Sequence, residues 1–178
     1  IPEEELEQAR SIMTPEQYEQ EFECSFTAAV SGSYYGRLIT KADKDGRIGY
    51  VPVDDNVGVE TWWDLGIGDS TAIWFAQRVG EEVHLIDYYE NSGESLAHYV
   101  DVLTEKDYAY SCHIAPHDIQ ARELGTGKSR LEVAAELGLD FQVAPKLEVD
   151  HGIESVRNTL KDCWFDREKC KQGLDALR

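Results

Sequence analysis

Two carboxylate-bearing segments concentrate the chemistry of this 178-residue chain. The first is Asp64-Leu65-Gly66-Ile67-Gly68-Asp69-Ser70-Thr71-Ala72. An acid at the end of a strand carrying Trp62 and Trp63 is unfavourable to bury unless it is hydrogen-bonded or ligates a cation. Gly66 and Gly68 let the backbone turn closely around whatever Asp64 holds. The second segment is His113-Ile114-Ala115-Pro116-His117-Asp118, a strand stopped by Pro and followed by His and Asp. Carboxyl ends of strands in α/β sheets are where ligands bind, because the loops there open outward. Either acid alone also fits a plain turn role. Together, at the exits of adjacent strands, two carboxylates repel, and one must protonate unless a cation lies between them. A hard divalent ion such as Mg²⁺ or Mn²⁺ meets that need with oxygen ligands. Two such ions roughly 3.5–4 Å apart activate a water and stabilise the leaving oxygen of a phosphodiester.

Other features carry weaker signals. Asp87, beside Tyr88-Tyr89 and Glu90, is a candidate auxiliary group, as are Asp69 and His117, although an exposed edge acid also accounts for Asp87. Gly125-Thr126-Gly127-Lys128-Ser129 looks like the end of a phosphate-binding P-loop, but that motif requires Gly at position 122, where the chain has Arg. The segment reads better as a basic loop entering a helix capped by Ser129. Arg122, Lys128 and Arg130 are candidate contacts to a DNA backbone. Arg157 and Lys161, four apart on one helix, form a phosphate-facing edge or a solvated face. His113 and His117 do not form a helical zinc pair, because Pro116 intervenes. Cys24, Cys112, Cys163 and Cys170 form no CxxC pair and suggest a reducing compartment.

The positioning elements follow from apolar spacing. Residues 59–66, 70–78 and 82–89 read as three strands joined by links short enough only for antiparallel hairpins. A helix over 96–103, a strand over 111–115, a helix over 129–137, a strand over 140–143 and helices over 149–163 and 167–177 complete an α/β mixed sheet. Residues 1–23 suggest two short acidic helices, with Thr14 and Gln17 at capping positions. Residues 31–58 read as a long connection with short strands, which places a domain boundary near residue 58.

The chain carries 17 Lys and Arg against 35 Asp and Glu, a net charge of −18. That argues against holding nucleic acid or acidic membranes by bulk positive charge. The charge is uneven, however. Residues 1–23 hold eight acids and one base, whereas residues 128–178 hold ten acids and nine bases. At 42% apolar residues the chain can build a core, and no apolar run approaches the roughly 20 residues of a membrane span. The opening Ile1 and the arrest within a helical pattern at Arg178 read as a piece of a longer protein.

Asp64-Leu65-Gly66 with Asp69-Ser70-Thr71-Ala72, Ile86-Asp87-Tyr88-Tyr89-Glu90, Pro116-His117-Asp118, Gly127-Lys128-Ser129-Arg130 and Asp150-His151-Gly152-Ile153-Glu154 with Arg157, in this order, resemble the C-terminal nuclease domain of tailed-bacteriophage terminase large subunits. The resemblance runs from about residue 59 to the end, and residues 1–58 resemble the segment joining a packaging ATPase to that nuclease. It implies a ribonuclease H-like fold and a metal-dependent endonuclease that cuts concatemeric viral DNA during genome packaging in the cytoplasm of an infected bacterium. It implies Asp64 and Asp118 as catalytic metal ligands for two Mg²⁺ or Mn²⁺ ions. The implied partners are double-stranded viral DNA, a portal, a small terminase subunit and an ATPase domain in cis, with no membrane. Family members take a third carboxylate from a late helix. Leu174-Asp175-Ala176-Leu177-Arg178 fits that segment only superficially, so the third acid is expected beyond Arg178. Two readings compete. An actin- or sugar-kinase-like ATP-binding fragment would share Asp64-x-Gly with Thr71 but requires a second such loop, which the chain lacks. A non-catalytic DNA-guiding or portal-docking module suits a missing third acid.

Overall fold

The computed structural model describes residues 33–66, 70–122 and 127–178. The two acidic helices expected in residues 1–23 lie outside these, as does Asp69.

Strand β2 (Val59–Asp64) buries Val59, Thr61 and Trp63 and ends on the exposed Asp64. It pairs antiparallel with β3 (Ser70–Val79), which pairs antiparallel with β4 (Glu82–Ser92). The β3–β4 turn runs through Gly80 at φ +65°, a left-handed conformation that favours glycine. One helix (Leu96–Lys106) then returns the chain to β5 (Tyr110–Ala115), parallel to β2. Another (Arg130–Glu136) leads to β6 (Phe141–Val143), parallel to β5. The Arg130 helix starts at a capping box, Ser129 Oγ accepting from the Glu132 amide while the Glu132 carboxylate accepts from the Ser129 amide. That pairing holds the Glu132 carboxyl below its ordinary range.

The sheet is wider than the spacing alone suggests. Its order is β1-β7-β4-β3-β2-β5-β6, where β7 (Cys163–Asp166) and β1 (Ile48–Gly49) are parallel additions beside β4. The expected helix over 149–163 ends at Thr159, and the expected helix over 167–177 spans Lys171–Leu177. Residues 163–166 are instead a strand, buried at Cys163, Phe165 and Asp166. So short an apolar run has no periodicity to separate helix from strand. Asp166 stops it: one carboxylate oxygen accepts from the Glu168 and Lys169 amides and the other from the Val51 amide.

The connection expected over 31–58 also needs correction. Residues Gly36–Lys44 form the first helix, α1, which buries Ile39 and Ala42. These two residues join Leu85, Phe165 and Leu174 in one core on one face of the sheet. The opposite face carries Trp63, Ile73, Phe75 and Ile86, covered by Tyr99, Leu103 and Ala134 from the 96–106 and 130–136 helices. Ile39 and Ala42 thus share a core with residues beyond position 58. Gln77, fully buried in β3, ties down the loop before β2: its amide donates to the Asp54 and Val57 carbonyls and its carbonyl accepts from the Asp54 amide.

In chain order, the helices are α1 (Gly36–Lys44), α2 (Leu96–Lys106), α3 (Arg130–Glu136), α4 (Val149–Thr159) and α5 (Lys171–Leu177).

Candidate functional site

The parallel pairing of β2 with β5 brings the two principal acids to one end of the sheet. Trp62 is in register with Ile114. Asp64 lies two residues beyond the first, and Asp118 four beyond the second. Asp118 is exposed in a short 3₁₀ turn (His117–Gln120) that begins after Pro116 and is anchored by the fully buried Ile119. His117 beside it is also exposed.

A third carboxylate stands on the row of Asp64. Asp64 pairs with Ala72, and Ala72 pairs with Glu90 on its other side. Directly paired residues project to the same face, and two strand spacings put the Asp64 and Glu90 backbones roughly 10 Å apart. Only the Ala72 methyl stands between them. The Tyr88 phenol donates to Glu90 Oε2 at 2.7 Å. Burial, the Glu90 hydrogen bond, and the charges of Glu90 and Asp64 hold this phenol well above its ordinary pKa. The Tyr88 ring packs at 4.6 Å on Trp74, and α5 rests on that pair.

Asp87 lies elsewhere. A bulge in β4 pairs Phe75 with Asp87 but Ala76 with Leu85, which inserts Ile86 and breaks the alternation. Asp87 consequently faces the opposite core, where it accepts from Lys106 Nζ, from the Tyr108 hydroxyl at 3.1 Å and from the Tyr88 amide at 2.8 Å. It is a buried charge with its own counter-ion, removed from Asp64. Glu90 lies one residue past the strand end expected at residue 89, whereas β4 runs on to Ser92.

The basic candidates also separate. Arg130 is half-buried, and its guanidinium donates to the Leu65 carbonyl at 3.3 Å, beside Asp64. Arg122 is exposed, donates to the Gly127 carbonyl and pairs with Glu132. Lys128 pairs with Glu136. Arg157 lies on α4, bonded to Glu154 and to the Tyr34 carbonyl.

His113 belongs to a structural chain: Trp63 Nε1 donates to Thr61 Oγ1, which lies 2.7 Å from His113 Nδ1. Burial lowers the His113 pKa, which favours the neutral ring. Among the described residues no three His, Cys, Asp or Glu side chains converge as a ready-made metal site. Asp64 and Asp118 are nevertheless exposed oxygen donors at one sheet end, with Glu90 on the Asp64 row. That donor set suits a hard divalent ion that keeps most of its waters.

An antiparallel β4-β3-β2 trio followed by parallel β5 and β6, with helices on both faces, defines a ribonuclease H-like sheet. The chain has the fold of phage large-terminase nuclease domains. It is similar to the P22 large terminase nuclease domain, with 16% identity, 75% of this chain and 74% of that one covered, and a TM-score of 0.57. It is similar to the large terminase nuclease from thermophilic phage G20c with bound cobalt, with 14% identity, 74% and 73% covered and a TM-score of 0.50. The large terminase of a second thermophilic bacteriophage, in complex with ADP, matches at 16% identity and a TM-score of 0.62 over 79% of this chain. This chain spans about a third of that protein's length, 36%. No protein-family model and no curated protein matches the sequence. Among the described residues no helix is long and apolar enough to cross a membrane.

Proposed function

We propose that this chain is the nuclease part of a viral DNA-packaging terminase and hydrolyses phosphodiester bonds of double-stranded DNA with divalent metal. The observation that carries this reading is the delivery of Asp64 and Asp118 to one end of the sheet by two adjacent parallel strands. The shared fold supports it, and so does the cobalt bound to the G20c nuclease.

In this reading Asp64 and Asp118 hold Mg²⁺ or Mn²⁺ through carboxylate oxygens. Bound ions would supply an activated water and neutralise charge on the scissile phosphate. The exposure of both acids leaves room for the phosphate to approach. Arg130, bonded to the Leu65 carbonyl, places a guanidinium beside Asp64. Tyr88 holds Glu90 by a hydrogen bond to one carboxylate oxygen, on the row that carries Asp64. A third acid beyond Arg178, an ATPase domain in cis, portal and small-subunit partners, and action on concatemers in the infected host's cytoplasm belong to the same proposal.

A supercoiled-plasmid cleavage assay with Mg²⁺ or Mn²⁺ tests it. Cleavage by the wild-type sequence extended past Arg178 to include the third acid, lost in Asp64→Asn and in Asp118→Asn, is the expected result. Cleavage that survives both substitutions would sink the assignment. DNA binding without cleavage under any divalent metal would favour the non-catalytic guiding module.

A further inference from the structure

Among the described residues, six cations gather in one groove away from the candidate nuclease site. A groove of about 1000 Å³ is lined by Arg37, Lys41 and Lys44 of α1, Arg157 in the last turn of α4, Lys161 just after it, and Arg178 after α5. Six of the chain's 17 basic residues thus line one groove, against two of its 35 acids, Asp45 and Glu154. A concave surface lined by one sign of charge concentrates counter-ions of the other.

The local arrangement points the same way. Arg37, Lys41 and Lys44 fall at i, i+4 and i+7 on one stripe of α1, and like charges at such spacings disfavour a helix unless an anion lies among them. Lys41 is partly neutralised by Asp45, Arg157 by Glu154 and Arg178 by Asp175. Among the described residues Arg37 and Lys44 make no hydrogen bond or ion pair. Both are exposed. The groove also lies on the nuclease side of the sheet: α1 buries Ile39 and Ala42 in the core that holds Trp62 and Ala72, the neighbours of Asp64.

We infer that this groove binds the phosphate backbone of double-stranded DNA and holds the duplex on the face that carries Asp64. The inference rests on the nuclease reading for its choice of polyanion, and it adds a site that the acidic end of the sheet does not contain.

The test is salt-dependent binding of a labelled 30-bp DNA duplex to the full-length protein carrying Asp64→Asn and Asp118→Asn, in Mg²⁺. Adding Arg37→Ala with Lys44→Ala should weaken binding at least about tenfold at 0.1 M salt and make the slope of log affinity against log salt shallower by about 2. Arg37→Lys with Lys44→Arg should keep the affinity. Lys146→Ala with Lys169→Ala, which removes the same charge outside the groove, should change it far less. Thermal melts establish that each variant is folded. Absence of duplex binding by the parent, equal losses in both alanine pairs, or displacement of DNA by poly-glutamate at matched charge would overturn the inference, the last in favour of an acidic protein partner. The two readings fail separately. Cleavage lost in Asp64→Asn, with binding untouched by the groove substitutions, overturns the groove and leaves the nuclease. Groove-dependent binding by a wild-type protein that extends past Arg178 and never cuts overturns the nuclease and leaves the groove.

Discussion

Asp64 and Glu90 share one row of the sheet, on the same face, with the Ala72 methyl between them. Two strand spacings separate the acids, and the Tyr88 phenol that bonds Glu90 also feels the charge of Asp64. If Glu90 orients metal or water at Asp64, Glu90→Gln should lower metal-dependent cleavage by on the order of 10–100-fold, the effect seen for groups that support metal ligands. The divalent concentration for half-maximal activity should rise with it. Unchanged cleavage and an unchanged metal requirement would remove Glu90 from the site.

Metal should register in stability as well as rate. A ligand at ten times its dissociation constant stabilises the folded state by about 1.4 kcal/mol. Thermal melts of the wild-type chain should therefore shift upward with millimolar Mn²⁺, whereas Asp64→Asn and Asp118→Asn should shift little. Equal shifts in all three would place metal elsewhere.

The Asp87–Lys106 pair is expected to hold the fold without joining the chemistry. Lys106→Met would leave a carboxylate of 10% side-chain exposure without its counter-ion, a change that costs about 3–5 kcal/mol when such a pair is broken. Urea unfolding should show that loss, while cleavage per folded molecule stays near wild type. A selective loss of cleavage with unchanged stability would return Asp87 to the active site.

The Trp63–Thr61–His113 chain predicts a pH effect of defined sign. Because burial lowers the His113 pKa, the unfolded chain takes up a proton before the folded one does. The stability contribution is complete above the unfolded value near 6.5 and falls as pH drops from there through the lowered folded pKa. His113→Gln should flatten stability against pH over this window. Thr61→Val should destabilise at neutral pH by about 1–3 kcal/mol, because the Trp63 N–H and the His113 ring lose their shared partner.

Gly173 lets α5 sit on the site's supporting aromatic pair. A Cβ there would lie 2.5 Å from Trp74 Cζ2 and 2.7 Å from Tyr88 Cδ2. Gly173→Ala should cost about 1–3 kcal/mol by overpacking, measured by denaturant unfolding, and should lower cleavage by displacing Tyr88 from Glu90. Wild-type values for both would show that α5 can shift without reaching the row.

The strands around Asp64 and Asp118 were legible because their signals are local. Trp62-Trp63 before Asp64-x-Gly marks a strand end, Gly80 marks a hairpin, and Pro116 stops β5. Ser129 and Glu132 mark a helix start by their spacing alone. Helix α1 was not legible, since only Ile39 and Ala42 of its nine residues are buried and its stripe of cations resembles a solvated connection. The same cations on α1 and α4 become one groove only because the chain brings segments more than 100 residues apart together.

Residue order thus settled which acids end which strands, since strand ends are written in neighbouring residues. Packing settled which of those acids meet. The inserted Ile86 puts Asp87 on the face opposite Leu85, and Glu90, three residues on, on the face of Asp64. A bulge is a property of two paired strands, set by the register between β3 and β4, and no alternation counted along one strand contains it.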